Sequence, residues 1–297
     1  MRVGIIGGTG FVGSYLVEAL LREGHEVRAL VRPGSEARLA NDAVVKLVGD
    51  LDDSAAIKDL VTGCDAIVYN VGLLREFPRR GITFEATQYQ GVVDTVTAMQ
   101  DAGVRRLLLM SAIGVKDPGT AYQSTKCRAE QHALASGLDV TVLRPSVIFG
   151  DPRGTMEFAT QLYRDMVRPP LPAAAFPGVQ MSPVAVSDVA DAFAAALSRS
   201  DAIGKTYELA GPEILDWPTM VERIAAAVGK TKIMLPMPLW VMRTGATLFD
   251  WLPFYPVTRD QLTMLAEGNT APTAALQDLI GREPKAMTPA ALGYLSR

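Results

Sequence analysis

Met1-Arg2-Val3-Gly4-Ile5-Ile6-Gly7-Gly8-Thr9-Gly10-Phe11-Val12-Gly13 opens the chain and decides its fold. Val3 to Ile6 is a short apolar run that reads as a buried strand. Gly7, Gly10 and Gly13 follow at intervals of three, and Val12, Leu16, Val17, Leu20 and Leu21 then recur at helical spacing. Strand, glycine turn and helix in that order are the context in which a glycine pattern implies dinucleotide binding. Gly7 permits the tight turn, Gly10 lets the backbone approach a pyrophosphate, and Gly13 lets the helix pack close to the strand. The free N–H groups and positive dipole end of that helix then face the phosphates.

Outward from this unit, strand and helix patterns alternate. Val27–Val31, Val44–Val48, Ala66–Val71, Leu107–Met110 and Val140–Leu143 read as strands. Between them, Ala55–Val61, Gly81–Ala102 and Tyr122–Ala135 read as helices. The strands are continuous apolar runs, which predicts a sheet covered by helices on both faces. The expected fold class is α/β, a doubly wound parallel sheet of Rossmann type. After Gly150 the pattern is broken by Pro152, Pro169, Pro170, Pro172, Pro177 and Pro183. Val184–Val186 reads as a strand leading into a helix capped by Ser187 or Asp188. The expected organisation is a Rossmann domain over 1–203 and a smaller mixed substrate or lid portion over 204–297, with part of 151–182 contributing to the latter.

Composition narrows the function. With 29 basic and 32 acidic residues the net charge is −3, which argues against a nucleic-acid partner. The 2 cysteines, Cys64 and Cys127, form neither a disulfide framework nor a metal spacing and fit a reducing, cytoplasmic setting. With only His25 and His132, no metal site is expected. The start of the chain reads as a strand rather than a signal peptide. The most apolar long stretch, Met234 to Phe254, is interrupted by Pro236, Pro238, Arg243, Asp250 and Pro253, so no transmembrane segment is expected.

Four groups of residues could carry chemistry. Arg32 ends the second strand, where an acid would hold the ribose of NAD and an arginine suits the 2′-phosphate of NADP. No acid follows until Glu36, so NADP(H) is favoured and NAD(H) is the alternative; a solvated strand end is the plainer reading. Asp50 reads equally as an acceptor for an adenine amino group or as part of a helix N-cap cluster with Asp52 and Asp53. Tyr122 and Lys126 are four apart on one helix and share a face. A nearby ammonium favours the phenolate and lowers a tyrosine pKa. Ser111 ends the preceding strand and could polarise a carbonyl, which completes a proton-transfer set for hydride chemistry.

These residues together resemble the short-chain dehydrogenase/reductase superfamily in its extended, epimerase-like branch. The glycine turn, Gly49-Asp50, Ser111, Tyr122-x-x-x-Lys126, Leu143-Arg144-Pro145-Ser146-Val147-Ile148-Phe149-Gly150 and Pro183-Val184-x-Val186-x-Asp188-Val189-Ala190 occur in that order, with Tyr207-x-Leu-x-Gly211-Pro212 as a later landmark. A narrower resemblance is to the NADPH-binding accessory subunit of respiratory complex I and its bacterial relatives. It is carried by Tyr69-Asn70-Val71-Gly72-Leu73-Leu74-Arg75-Glu76, Thr83-Phe84-Glu85, Met110-Ser111-Ala112-Ile113-Gly114 and Pro256-Val257-Thr258-Arg259-Asp260-Gln261-Leu262.

The resemblance implies that Gly7, Thr9, Gly10, Phe11, Val12 and Gly13 line the pyrophosphate. It implies that Arg32 reads the adenosine phosphate, that Asp50 and Leu51 flank the adenine, and that Val71 and Gly72 pass beneath the cofactor. Tyr122 and Lys126 are implied at the nicotinamide end, with Lys126 on its ribose and Pro145, Ser146 and Val147 closing over the ring. One departure stands out. Many superfamily members complete the catalytic set with an asparagine where this chain reads Gln88-Tyr89-Gln90-Gly91.

Three functions follow as expectations. The first is an NADP(H)-dependent oxidoreductase acting on a carbonyl, hydroxyl or quinone-related small molecule. The second is a non-catalytic, cofactor-binding accessory subunit. For it, Arg75–Arg80 and the apolar Pro236–Phe254 segment would be partner-facing, with peripheral association with a membrane or respiratory complex. The third is a sugar-nucleotide epimerase or dehydratase, against which Arg32 and the short span between Ser111 and Tyr122 argue. Helices on the outer faces of such a sheet also allow a homodimer.

Overall fold

The apolar runs pair into one sheet in the computed structural model, which describes residues 1–73, 75–238 and 259–296. The strands β1 (Arg2–Ile6), β2 (Glu26–Val31), β3 (Val44–Val48), β4 (Ala66–Tyr69), β5 (Arg106–Met110) and β6 (Asp139–Pro145) are joined by a later strand, Thr206–Leu209. Their order across the sheet is Thr206–Leu209, β6, β5, β4, β1, β2, β3. Val3 pairs with Val27 on one side and with Ala66 on the other, both in parallel. The chain therefore winds outward from β1 in two directions. The turns after β1 and β4 meet at the switch point, where ligands bind in open α/β sheets.

The chain divides into two compact units, one formed by Met1–Arg144 with Val189–Tyr207 and the other by Pro145–Asp188 with Glu208–Arg297. In the first, α1 (Phe11–Arg22) buries Leu16, Val17 and Leu20. The helices α2 (Ser54–Val61), α3 (Gly91–Ala102) and α4 (Ala121–Ala135) contribute Ile57, Leu60, Val96, Met99, Ala129 and Ala133 to a core shared with Ile67, Tyr69, Leu107, Leu109 and Val142. Burial of this apolar surface is the main favourable term in the fold.

Local signals set the helix ends. Asp53 caps α2, its carboxylate accepting from the Ala55 and Ala56 N–H groups at 3.0 and 3.1 Å. Asp50 stands outside the helix and accepts from the Leu51 N–H at 2.8 Å. Thr120 and Gln123 form a reciprocal capping box at the start of α4. The helix expected over 81–102 is interrupted. Phe77 and Ile82 form an isolated antiparallel bridge, Glu85–Gln90 is a π-helical turn, and the α-helix begins only at Gly91.

The second unit has short ladders in place of a large sheet. Ile148–Phe149 pairs with Val184–Ala185, Gln180–Met181 with Leu215–Asp216, and Ala173–Ala175 with Met234–Pro236. Its core centres on Trp217, whose ring lies 5.0 Å from that of Phe176. The helix after Val184 starts at Val186, so Asp188 lies within its first turn. The fully buried Asp188 carboxylate is taken instead by Arg282 Nη2 at 2.7 Å and the Lys285 N–H at 2.6 Å. Of the segment expected to face partners, residues 239–254 lie outside the described residues, as do Leu74 and residues 256–258 of the stretches that carry the narrower resemblance.

Candidate nucleotide and proton-transfer site

The glycine turn is built as its spacing predicts. Gly7 has φ +88°, a conformation that glycine adopts without strain, and a Cβ there would lie 2.4 Å from the Asn70 carbonyl oxygen. A Cβ on Gly13 would lie 2.0 Å from the Gly7 carbonyl oxygen, so the first turn of α1 rests directly on the loop. The Gly7 carbonyl accepts from the Gly10 N–H at 3.3 Å and from Asn70 Nδ2 at 3.4 Å. The sequence reading gave Asn70 no role; its part in bracing the turn depends on β1 pairing with β4. No side chain caps α1, and its first turn holds no acid. At Gly10 a Cβ would meet only the Gly7 carbonyl oxygen, at an ordinary contact distance of 3.5 Å. A pyrophosphate fits this seat, because the helical N–H groups of the first turn are donors and that turn carries no acid.

Arg32 is exposed at the end of β2 and its guanidinium makes no hydrogen bond or ion pair among the described residues. Asp50, also exposed, ends the loop after β3, and Leu51 beside it is half-buried. Val71 and Gly72 follow β4.

The ends of β4, β5 and α4 meet at Lys126. This lysine is 4 % exposed, and its Nζ donates to the Met110 carbonyl at 3.2 Å and to the Val71 carbonyl at 3.4 Å. It also lies 5.9 Å from the centre of the Tyr122 ring. Phe84 meets the same ring edge-on at 5.8 Å. Ser111, next after Met110, is buried; its N–H donates to the Leu143 carbonyl at 2.8 Å, and its Oγ has no partner. A buried hydroxyl without a partner is costly unless a ligand group or water meets it.

Burial lowers the Lys126 pKa to about 8, opposed by the Glu130 carboxylate. Burial also raises the Tyr122 pKa above its ordinary value. The expectation that Lys126 would lower it is not met: burial of the phenol is the cause of the shift, and the ammonium lies over the ring, 5.9 Å from its centre. The Lys126 shift has a testable sign. Its native value lies below the ordinary ~10.4 of an unfolded lysine, so between about pH 8 and pH 10 the native state binds fewer protons and gains stability. Below about 8 the full cost of burying the charge is present. The unfolding free energy of the parent minus that of Lys126→Met should therefore rise by up to about 3 kcal/mol across this window. A flat difference in urea titrations would show that Lys126 is not depressed.

Pro145, Ser146 and Val147 belong to the second unit. There the Ser146 N–H donates to the Leu209 carbonyl at 3.0 Å, and Ser146 Oγ donates to the Asn269 carbonyl at 3.0 Å. Among the described residues, no group of three or more His, Cys, Asp or Glu could hold a metal ion, and no helix is long and apolar enough to cross a membrane.

A parallel doubly wound sheet with a glycine turn at its switch point and a Tyr-x-x-x-Lys helix beside it defines an NAD(P)-binding Rossmann protein of the short-chain dehydrogenase/epimerase type. The chain belongs to the NAD(P)H-binding family, whose model matches residues 7–200. It is 30% identical to subunit 9 of the NADH dehydrogenase [ubiquinone] 1 alpha subcomplex from Mus musculus, a mitochondrial protein, over 97% of this chain and 76% of that one. It is 28% identical to a putative dihydroflavonol 4-reductase from Synechocystis, over 82% of this chain and 77% of the relative. The crystal structure of gox2253 superposes with a TM-score of 0.80 at 23% identity, covering 99% of this chain and 96% of that one.

Proposed function

We propose that this protein is an NADP(H)-dependent oxidoreductase that interconverts a carbonyl and a hydroxyl, or reduces a quinone-related compound. The observation that carries the reading is the convergence at Lys126. One buried ammonium touches the backbone of Met110, beside the unpartnered Ser111 hydroxyl, and lies over the ring of Tyr122. The bound nicotinamide supplies or accepts hydride. Ser111 donates a hydrogen bond to the substrate oxygen and holds it near Tyr122. Tyr122 stays protonated because burial raises its pKa, and it gives its proton to that oxygen in the reducing direction. Lys126 keeps one N–H beyond the two backbone carbonyls that it already serves, and this donor suits a ribose hydroxyl. Gly7, Thr9, Gly10, Phe11, Val12 and Gly13 would hold the pyrophosphate of the nucleotide, Asp50 and Leu51 its adenine, and Val71 and Gly72 its nicotinamide half.

The preference for NADP(H) rests on Arg32. Its unpaired guanidinium suits a 2′-phosphate, and such a charge-assisted contact contributes about 1.5–3 kcal/mol. Arg32→Ala should weaken NADPH by roughly 10- to 100-fold and leave NADH almost unchanged, as read by fluorescence titration. Equal losses for both nucleotides would remove Arg32 from the phosphate. The function itself is tested by following NADPH and NADH consumption against a panel of carbonyls and quinones.

A second reading is favoured by the match to the mouse complex I subunit, which covers 97% of this chain and 76% of that one. In it the protein binds NADPH tightly and serves as an accessory subunit of a respiratory assembly, without turnover. Co-purification of NADPH with a membrane-derived respiratory complex, with no consumption across the panel, would support it over the first.

A further inference from the structure

The π-helical turn Glu85–Gln90 carries a side chain for which the hydride chemistry above has no use. Gln88 is 2 % exposed, and a buried amide is costly unless both its ends are paired. Its Nε2 donates to the Leu73 carbonyl at 2.9 Å, which fixes the orientation of the amide, since a carbonyl needs a donor. Its Oε1 therefore faces Thr125 Oγ1, at 3.3 Å. The Thr125 hydroxyl has one proton and three acceptors within reach: Gln88 Oε1, the Ala121 carbonyl at 2.8 Å and the Tyr122 carbonyl at 3.1 Å. Donation to Gln88 ties α4 to the loop after β4, immediately beside Lys126. That loop is thus held at two carbonyls, Val71 by Lys126 directly and Leu73 by Thr125 through Gln88.

We propose that Gln88 is a positioning residue of this site, whose amide bridges Leu73 and Thr125 and so sets the Val71–Leu73 loop against the helix that carries Tyr122 and Lys126. The inference rests on the reading of Tyr122 and Lys126 as the reacting pair. The π-helical turn is what delivers the side chain. Its wider ring shifts Gln88 out of α-helical register, and such turns recur at functional sites. A plain α-helix through the same residues would direct position 88 elsewhere. Asparagine, one methylene shorter, would not span the same two partners.

The test pairs Gln88→Met, which keeps length and volume but removes both hydrogen bonds, with Thr125→Val, which keeps the β-branched shape and removes only the hydroxyl. Two readouts are taken. One is the titration of Lys126 followed by NMR of lysine labelled with carbon-13 at Cε, in nucleotide-free protein. The other is the NADPH dissociation constant. The charged and titratable groups near the ammonium are the Tyr122 hydroxyl and the Glu130 carboxylate, the latter paired with Arg144, and neither variant touches them. Loosening the loop admits water, so the Lys126 titration should move upward by about one unit in Gln88→Met and less in Thr125→Val. NADPH should bind about tenfold more weakly to Gln88→Met. The double variant should be no worse than Gln88→Met alone, because both act on one bridge.

A lowered melting temperature with an unmoved Lys126 titration and an unchanged Kd would overturn the proposal and leave Gln88 a purely structural amide. Should Gln88→Met fail to fold, an unmoved titration in Thr125→Val has the same force. Failure of the parent to bind either nucleotide would sink the oxidoreductase reading instead, and the lysine titration would still decide the role of Gln88.

Discussion

Tyr122→Phe should lower kcat for the NADPH-linked reaction by about 10²- to 10⁴-fold, the usual worth of a positioned general acid. It should leave the nucleotide Kd within about twofold of the parent. The substitution isolates the proton because everything else about the ring is kept. Phenylalanine preserves the edge-on contact with Phe84 at 5.8 Å and the face that Lys126 overlies at 5.9 Å. The hydroxyl it removes is one that burial holds protonated, so the parent presents a donor throughout the neutral range. Stopped-flow and steady-state measurements on the same preparation separate the cases. Turnover within about tenfold of the parent would remove Tyr122 from proton transfer. A parent that binds NADPH tightly yet consumes none would move the protein to the accessory reading.

Gly13→Ala should abolish nucleotide binding and cost on the order of 3 kcal/mol of stability or more. The added methyl would sit 2.0 Å from the Gly7 carbonyl oxygen and 2.8 Å from the Gly8 backbone, with no flexible side chain to yield. Either α1 lifts from the loop or the turn opens. The turn resists, because the Gly7 carbonyl is held by the Gly10 N–H and by Asn70. Gly10→Ala is the matched control. Its methyl meets only the Gly7 carbonyl oxygen, at an ordinary contact distance of 3.5 Å, so the protein should lose only about 1 kcal/mol for alanine at the N-cap while the pyrophosphate is pushed off its seat. Urea midpoints and NADPH titrations on the two variants read both effects. A Gly13→Ala protein that unfolds and binds like the parent would refute the close-packed turn.

The pattern of strands is legible because buried parallel strands are written as unbroken apolar runs, as in Val3–Ile6 and Ala66–Tyr69; the strand expected over 66–71 stops at Tyr69, before Asn70. The glycine turn was legible because its demands are local. The π-helical turn was not. The apolar spacing across 81–102 fits a helix on average, and a widened turn of six residues alters that spacing too little to read. Asp50 reads equally as an adenine acceptor or as part of a cap cluster for a similar reason, since residues 50–53 hold three carboxylates and only the backbone path makes Asp53 the cap. Asp188 looked like a cap because its true partner, Arg282, is 94 residues away. The unpartnered Ser111 hydroxyl and the fall in the Lys126 pKa are properties of burial, which a one-dimensional pattern does not carry.

The position of the nucleotide seat within the sheet also bears on how the chain folds. Gly7 and Asn70 are 63 residues apart and come together only when β4 docks beside β1. Such distant pairing is slow to form, because the entropy of closing the intervening chain is spent before the contact rewards it. The seat exists only once that closure is complete, so a nucleotide has nothing to grip on the way in. A nucleotide that binds only the closed seat would stabilise the folded chain by mass action, and would slow unfolding to the extent that the transition state lacks the β1–β4 pairing.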